Sequence, residues 1–429
     1  MSVSGGMNDN DLELITSFLD IGDYNKIPQV DKNHIRVLFE SLYDAIKVIK
    51  NEGVNEVSFN EDGLLWAYGA VGSEGKTIIG RKRPQSVPMH DNSQTEKIVK
   101  KYLIKSDHLG RKEKREIKDD YFITELDEVL EEVVERPKKI EKDENGILYL
   151  DMIDADKAIK TLATLYRTQV HELNPILEVE IPYLGHRFSG MMPPCQTSTG
   201  FSIRTKPRKI YSLEDYVEQG TITESQKKSL KNYIQQRKNI LVVGGTGSGK
   251  TTFCNALLKA VAEEDYLSRV IIIEDVRELQ CEVKDKVYMT VPPPSLEITD
   301  DRFLITTAKL LKSSMRRSPE RICVGEVRDG DTALNLLSAW NSGHPGGICT
   351  IHADDAMGGL DKLEQYILMS NKTPNRQMIS RTVNVIVSIQ AGNIFDQNEQ
   401  KWKRIRKVEE IKSVEQYVET TGKYYLQEL

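Results

Sequence analysis

The residues best suited to chemistry stand together in one segment, Asn239 to Val261, which reads NILVVGGTGSGKTTFCNALLKAV. Within it Gly244, Gly249, Lys250 and Thr251 satisfy G-x-x-x-x-G-K-[ST], the pattern of a phosphate-binding loop, or P-loop. Gly244, Gly245, Gly247 and Gly249, with Thr246 and Ser248 among them, let the main chain approach a polyphosphate and turn its N–H groups inward. A helix opened by Lys250, Thr251 and Thr252 must follow, and its amino end adds partial positive charge. Lys250 has the reach for the β- and γ-phosphates, and Thr251 offers a hydroxyl to Mg²⁺. The segment therefore predicts binding of ATP with Mg²⁺.

Hydrolysis needs more than a cradle: a group to orient and deprotonate water, and a group near the metal. Glu274 and Asp275 follow the apolar run Ile271 to Ile273, and Glu326 follows Ile322-Cys323-Val324-Gly325. In a parallel sheet the carboxyl ends of strands converge on the ligand crevice, so both acids should face the P-loop. An acid at a strand end also serves as a helix cap or turn residue; two of them at the ends of apolar strands downstream of a P-loop favour function. His352, in GGICTIHADD, stands just past a third short strand, and the run Gly343-His344-Pro345-Gly346-Gly347 before it is expected to bring the chain tightly past the nucleotide.

These groups need a frame. From Asn239 onward, apolar strands such as ILVV, VIIIED and RICVGEV alternate with helical patterns, which predicts a parallel sheet covered on both faces. Upstream, residues 36–50 have apolar residues at helical spacing and 54–60 alternate like a strand before a turn at Glu61-Asp62-Gly63. A second amphipathic helix is expected near 154–168, then short strands in EVEIPYLGHRFSGMMPP and GFSIRTKP. Helices over 211–219 and 223–237 should be capped by Ser212 and Thr223. Between them, 81–118 is rich in Lys and Arg while 120–135 is acidic with apolar residues at helical spacing, the signature of a solvated insertion. The expected fold is α/β: residues 1–80 and 146–210 form a smaller α+β N-terminal domain, 81–145 a charged insertion within it, and 211–429 the C-terminal P-loop ATPase domain.

Composition narrows the function classes. Of the 429 residues 39% are hydrophobic and 29% charged, a globular profile. The formal net charge of -6 argues against a dedicated nucleic-acid binder. No apolar run approaches the roughly 20 residues that cross a bilayer, and MSVSGGMNDNDLELI lacks the features of a signal peptide, so a cytoplasmic chain is expected. The five cysteines are scattered and never in a C-x-x-C pair, which indicates neither a disulfide framework nor a zinc site. Cys254, Cys281, Cys323 and Cys349 read as buried small hydrophobes.

The P-loop, IIIEDVREL, CVGEVRD, ALNLLSAWNSGHPGG and TIHADDAMGGLDKL together resemble the secretion-ATPase superfamily, in particular the type IV secretion and conjugative-transfer ATPases. The likeness extends upstream to VNEVSFNEDGLLW and NPILEVEIPYLGHRFSGMMPP…FSIR and downstream through VNVIVSIQ, leaving out about 81–145. It implies a RecA-like C-terminal domain and a hexameric motor working with inner-membrane components of a secretion or conjugation machine. It also implies a peripheral position at the cytoplasmic face of that membrane. Position by position, the resemblance makes Glu274 the residue that activates water, Glu326 a support for Mg²⁺ and the water network, and His352 a sensor of the γ-phosphate region. Arg187 and Arg204 become arginines that close over the phosphates, although a purely structural role for Arg187 fits as well. The chain departs from its relatives at Ser318, where arginine usually precedes the proline, with Arg316, Arg317 and Arg321 nearby, and at Asp354, a position often held by asparagine. A pilus or type II secretion ATPase, a nucleotide-gated docking scaffold and a DNA helicase are the competing readings. The missing four-cysteine spacing, the two acids and the absence of a basic, aromatic-lined groove weigh against them in turn, and the sequence holds no strong sign of direct DNA binding.

Overall fold

The computed structural model describes residues 29–50, 54–69, 76–83, 86–87, 89–106, 112–117, 128–139, 141–145, 147–150, 153–206, 209–292, 304–396 and 401–428. The described residues begin with α1 (Gln29–Ile49), β1 (Val54–Phe59), β2 (Leu64–Gly69), β3 (Lys76–Lys82), β4 (His90–Ser106), β5 (Lys112–Ile117), β6 (Glu128–Lys139) and β7 (Tyr149–Leu150). Next come α2 (Ala155–Leu165), β8 (Ile176–Glu180), β9 (Arg187–Met191), β10 (Gly200–Arg204), α3 (Leu213–Glu218) and α4 (Glu224–Gln235). The second half contains β11 (Ile240–Val243), α5 (Lys250–Glu264), β12 (Val270–Glu274), β13 (Lys286–Thr290), α6 (Thr307–Ser314), β14 (Arg321–Val324) and α7 (Gly330–Asn341). It closes with β15 (Ile348–Ile351), α8 (Ala356–Met369), α9 (Arg376–Thr382), β16 (Val385–Asp396), β17 (Lys401–Val418) and β18 (Lys423–Glu428).

Among the described residues there are three sheets. The first has the order β7-β3-β2-β1-β10-β9-β8. Ile35, Leu38, Phe39, Leu42 and Ile46, at helical spacing on α1, share one core with Ile159 and Leu162 of α2 and with Val57, Leu65, Val179, Phe188 and Ile203 of the strands. At one edge of this sheet the register lines up Glu180, Arg187, Arg204 and Glu56 as successive partners, a row in which two arginines are flanked by two glutamates.

The second sheet, β5-β4-β6, holds only residues of the charged stretch. Here the helical expectation over 120–135 fails in its described part. Residues 128–135 lie in β6, antiparallel to β4, and 120–127 fall outside the described residues. The register sets Lys97 opposite Glu135, Lys100 opposite Glu132 and Lys101 opposite Glu131. The register places residues of opposite charge at facing positions, and Val129, Val133 and Val134 favour strand over the local helical spacing.

The third sheet runs β13-β12-β14-β15-β11-β16-β17-β18, parallel from β13 to β16 and antiparallel at the last two strands. One strand, β15, separates the strand that leads into the P-loop from the strand that leads into Glu326, as in a RecA-like domain. The run ILVV is buried throughout because both faces are covered. Ile240 and Val242 join Phe253 and Leu257 of α5, while Leu241 and Val243 join Leu336 of α7 and Leu360 of α8. Ser212 and Thr223 cap α3 and α4 as expected, each in a reciprocal capping box, with Asp215 and Gln226. Cys254, Cys281, Cys323 and Cys349 are buried and Cys195 is exposed. Among the described residues no helix is long and apolar enough to cross a membrane.

The amino ends of these strands are stitched by side chains. Asn239 Oδ1 accepts from the amides of Gly346 and Gly347 at 2.8 and 3.0 Å, and its Nδ2 donates to Thr382 O at 2.9 Å. Arg321, fully buried, donates to Gly346 O and Ile234 O, both at 3.1 Å. This corrects the expectation for Gly343 to Gly347. The run turns at the amino end of β15, where Ile240 N donates to Gly347 O, and so at the opposite end of the sheet from the P-loop. Gly346 and Gly347 serve close packing against Arg321 and Trp340, while Gly343 supplies a φ of +93° at the turn.

Candidate active site

Buried β11 delivers the chain into residues 244–249, and α5 starts at Lys250, the strand–loop–helix context that phosphate binding requires. Lys250 is buried, and its ammonium donates to Gly244 O at 2.8 Å and Gly245 O at 3.0 Å. It also lies 3.2 Å from His352 Nδ1. Burial lowers its pKa, with Glu326 opposing.

From β15 the imidazole of His352 reaches back, its Nε2 standing 2.9 Å from Glu326 Oε1. An ammonium can only donate, so Nδ1 must accept, and Nε2–H then donates to the carboxylate; the neutral ring with its proton on Nε2 satisfies both contacts. Burial and the Lys250 charge depress the pKa of His352, which agrees with that assignment. The other oxygen of Glu326 is gripped by Arg328, at 2.8 Å from Nε and 2.7 Å from Nη2. Arg328 Nη1 continues to Asp275 Oδ2 at 3.4 Å, and Asp275 Oδ1 accepts from Thr307 at 2.8 Å. Lys250, His352, Glu326, Arg328 and Asp275 thus form a continuous polar chain across the carboxyl ends of three strands.

Glu274 stands apart from that chain. It is 5% exposed, and burial pushes its pKa up to about 7 even though two amides favour the charged form. Those amides, of Glu278 and Leu279, donate to Oε1 at 3.1 and 3.0 Å. A side chain at position 325 would not fit beside it, since a Cβ there would lie 2.9 Å from Glu274 Cγ. The glycine of CVGEVRD is what lets the acid of one strand pack against the next. Two polar atoms, Glu274 Oε2 and Ser248 Oγ, are buried without a hydrogen-bond partner among the described residues. Such atoms are rare in native folds and mark places where a ligand or water belongs.

The two arginines from the first sheet are placed differently. Arg187 reaches beyond its own sheet to the loop after β12, with Nη1 3.4 Å from Glu278 Oε1, while Nη2 lies 3.7 Å from Glu178. Glu278 is the residue whose amide holds Glu274. Arg204 is 59% exposed and its partner is Glu56 at 3.3 Å. Thr251 and Thr252 are half-buried in the first turn of α5. Of the arginines around Ser318, Arg321 is committed to backbone carbonyls, whereas Arg316 and Arg317 lie on the exposed turn after α6.

Sequence reading missed two side chains here. Arg328 follows Glu326 by two residues, and its proximity in CVGEVRD was the available signal. Arg406, on β17, has its Nη2 3.5 Å from Gly247 O of the P-loop, and nothing in its local sequence announces this.

Residues 129–422 match the family model described as type II/IV secretion system protein. The probable conjugal transfer protein TrbB of Sinorhizobium fredii is 38% identical over 273 residues, 64% of this chain and 77% of that protein. The type IV secretion system protein PtlH of Bordetella pertussis is 32% identical over 262 residues, 56% of this chain and 73% of that one. Among solved structures, the ATPase DotB of Legionella pneumophila aligns over 90% of this chain and 80% of its own, at 13% identity and a TM-score of 0.49.

Proposed function

The chain belongs to the type II/IV secretion system protein family, and from that premise we infer its work: it hydrolyses ATP to drive a conjugal-transfer or type IV secretion machine. The observation that carries this reading is the join between the P-loop and the strand-end groups, in which Lys250 meets His352 at 3.2 Å and His352 meets Glu326 at 2.9 Å. A loop that only bound phosphate would not need a neutral imidazole and a carboxylate wired to its lysine. Similarity to conjugal transfer and type IV secretion proteins over most of their length supports the assignment to such a machine.

In the proposed chemistry, the N–H groups of residues 244–252 cradle the polyphosphate, and Lys250 leaves the carbonyls of Gly244 and Gly245 for the β- and γ-oxygens. Thr251 and Glu326 offer a hydroxyl and a carboxylate, oxygen donors that suit Mg²⁺, a hard cation held by one or two protein oxygens with phosphates and water. The metal, when bound, neutralises charge on the β- and γ-phosphates. Glu326, already engaged by His352 and Arg328, would meet it through water. Glu274 takes the proton of the attacking water on Oε2, since Oε1 is occupied by two amides. A base with a pKa near 7 is well matched to that task. His352 holds Lys250 through Nδ1 and Glu326 through Nε2–H beside the departing γ-phosphate, and Arg187 and Arg204 exchange their carboxylates for phosphate oxygens when the N-terminal domain closes.

The proposal includes the domain division at 81, 146 and 211, with 81–145 inserted into the N-terminal domain. It includes a hexameric ring, which leaves no open interface. It also places the ring at the cytoplasmic face of the inner membrane, docked to other components of the machine. Phosphate release from ATP with Mg²⁺ tests the catalytic part. A purified chain that binds ATP but releases no more phosphate than its Lys250→Ala variant would refute it.

A further inference from the structure

We propose that Arg406 is a nucleotide-binding residue that grips the α-phosphate end of ATP or ADP from the C-terminal hairpin; this rests on the P-loop being the nucleotide site. The side chain owes its position to a β-bulge. Pairing between β16 and β17 steps from Ser388↔Glu410 to Ile389↔Val408, leaving Glu409 without an opposite residue. Directly paired residues share a face, so Val408 lies with Ile389 and Glu410 with Ser388, on opposite faces although the two are only two residues apart. Val408 and Ile389 belong to the core under α5, and Arg406, paired with Ala391, follows on that same face. Without the extra residue, a strand that places Ile411 in this core would turn Arg406 to the other side. Bulges re-aim side chains in this way beside functional sites.

The re-aimed guanidinium lies against the P-loop. A Cβ at Gly249, whose φ is +97°, would stand 2.8 Å from Arg406 Cδ and 2.9 Å from Nε. Nη2 is 3.5 Å from Gly247 O. The positive charge is also felt at Tyr216, where it opposes the effect of burial on the hydroxyl; Tyr216 in turn packs edge-on to Phe253 in the first turn of α5. Arg406 is therefore in contact with the walls that face a phosphate chain.

Topology says which phosphate. Strand β11 lies between β15 and β16. On the β15 side stand His352 and, one strand further, Glu326, the groups poised for the γ-phosphate. Arg406 approaches from the β16–β17 side. A triphosphate laid across the P-loop with its γ end toward the acids presents its α-phosphate end to Arg406. That end is common to ATP and ADP, and a guanidinium–phosphate contact suits it.

Calorimetric titration of the full chain with ADP and with the nonhydrolysable analogue AMP-PNP tests this. Arg406→Ala should raise Kd for both by about tenfold to a hundredfold, the worth of a charge-assisted contact, and by the same factor. The unfolding midpoint without nucleotide should stay near the parent value. If Arg406→Ala lowers that midpoint or fails to fold, Arg406→Gln, which keeps length without charge, is read in the same way. Unchanged affinity for both nucleotides overturns the proposal, and so does a loss confined to AMP-PNP. A parent chain that binds neither nucleotide would instead overturn the P-loop reading beneath it.

Discussion

The two large sheets both carry charged side chains of the proposed nucleotide site, but they hold them in opposite ways. In the eight-stranded sheet, Lys250 and Glu274 are buried and fixed by main-chain groups of their own loops. In the seven-stranded sheet, Arg187 and Arg204 are held by carboxylates at 3.3 to 3.7 Å on a partly exposed edge. Contacts of the first kind are rigid, and their energy comes from an environment that excludes water. Exposed ion pairs of the second kind are worth little and are exchanged at little cost. In the proposed mechanism the eight-stranded sheet supplies preorganised chemistry and the seven-stranded one a reversible grip. Glu278 joins them, since its carboxylate meets Arg187 and its amide holds Glu274.

The largest effect should come from the rigid side. Lys250→Ala is expected to remove hydrolysis altogether, a loss of at least about 10³-fold in rate, and to weaken ATP binding as well. Phosphate release and equilibrium titration measure the two losses separately.

Glu274→Gln should slow hydrolysis by roughly 10²–10⁴-fold while leaving affinity for ATP near that of the parent. In the parent, activity should rise with pH through about 7 as Glu274 ionises, and the variant should lose that limb. Stability moves the other way. Because burial raises this pKa from 4.5 to about 7, the folded chain binds more protons than the unfolded chain across that window, so stability falls as pH rises through it. Unfolding midpoints of the parent should show this slope and those of Glu274→Gln should not. A parent whose rate is flat from pH 6 to 8 would remove Glu274 from its assigned role.

On the adjustable side the effects should be smaller and unequal. Arg187→Ala, which also frees Glu278, should raise KM for ATP by about tenfold. Arg204→Ala should do less, and both should leave thermal stability nearly unchanged. If Arg204→Ala is the more damaging of the two, the grip runs through the exposed arginine and the link to Glu278 is incidental. The smallest effect belongs to the three-stranded sheet: deleting 84–142 should keep hydrolysis per chain within a few-fold of the parent. A collapse of activity would mean that this segment is part of the working domain.

Much of this contrast could be read before any coordinates were at hand, because P-loop chemistry is local. The glycines, Lys250 and Thr251 are contiguous, and Glu274, Glu326 and His352 each follow an apolar run that could only be a strand. What escaped reading depends on residues distant in sequence. The row Glu180–Arg187–Arg204–Glu56 needs three strand pairings, and Arg406 needs a bulge opposite β16. The run Gly343 to Gly347 was assigned to the wrong end of the sheet, because a glycine cluster signals close approach without saying to what. Residues 128–135 carry helical spacing yet pair as a strand, since the basic partner that favours the strand lies some thirty residues earlier.

The stitching of the sheet by Asn239 and Arg321 bears on how work leaves the molecule. Through Asn239 and Arg321, Gly346, Gly347, Thr382 and Ile234 are tied to one another behind the amino ends of the strands. In the proposed mechanism this end of the sheet serves as a stator bolted at its rear, and displacement on hydrolysis is expected at the front, in the parts that are not fastened to the frame. Arg187 and its sheet form one such part, whereas the hairpin that carries Arg406 is hydrogen-bonded into the frame through β16 and β11.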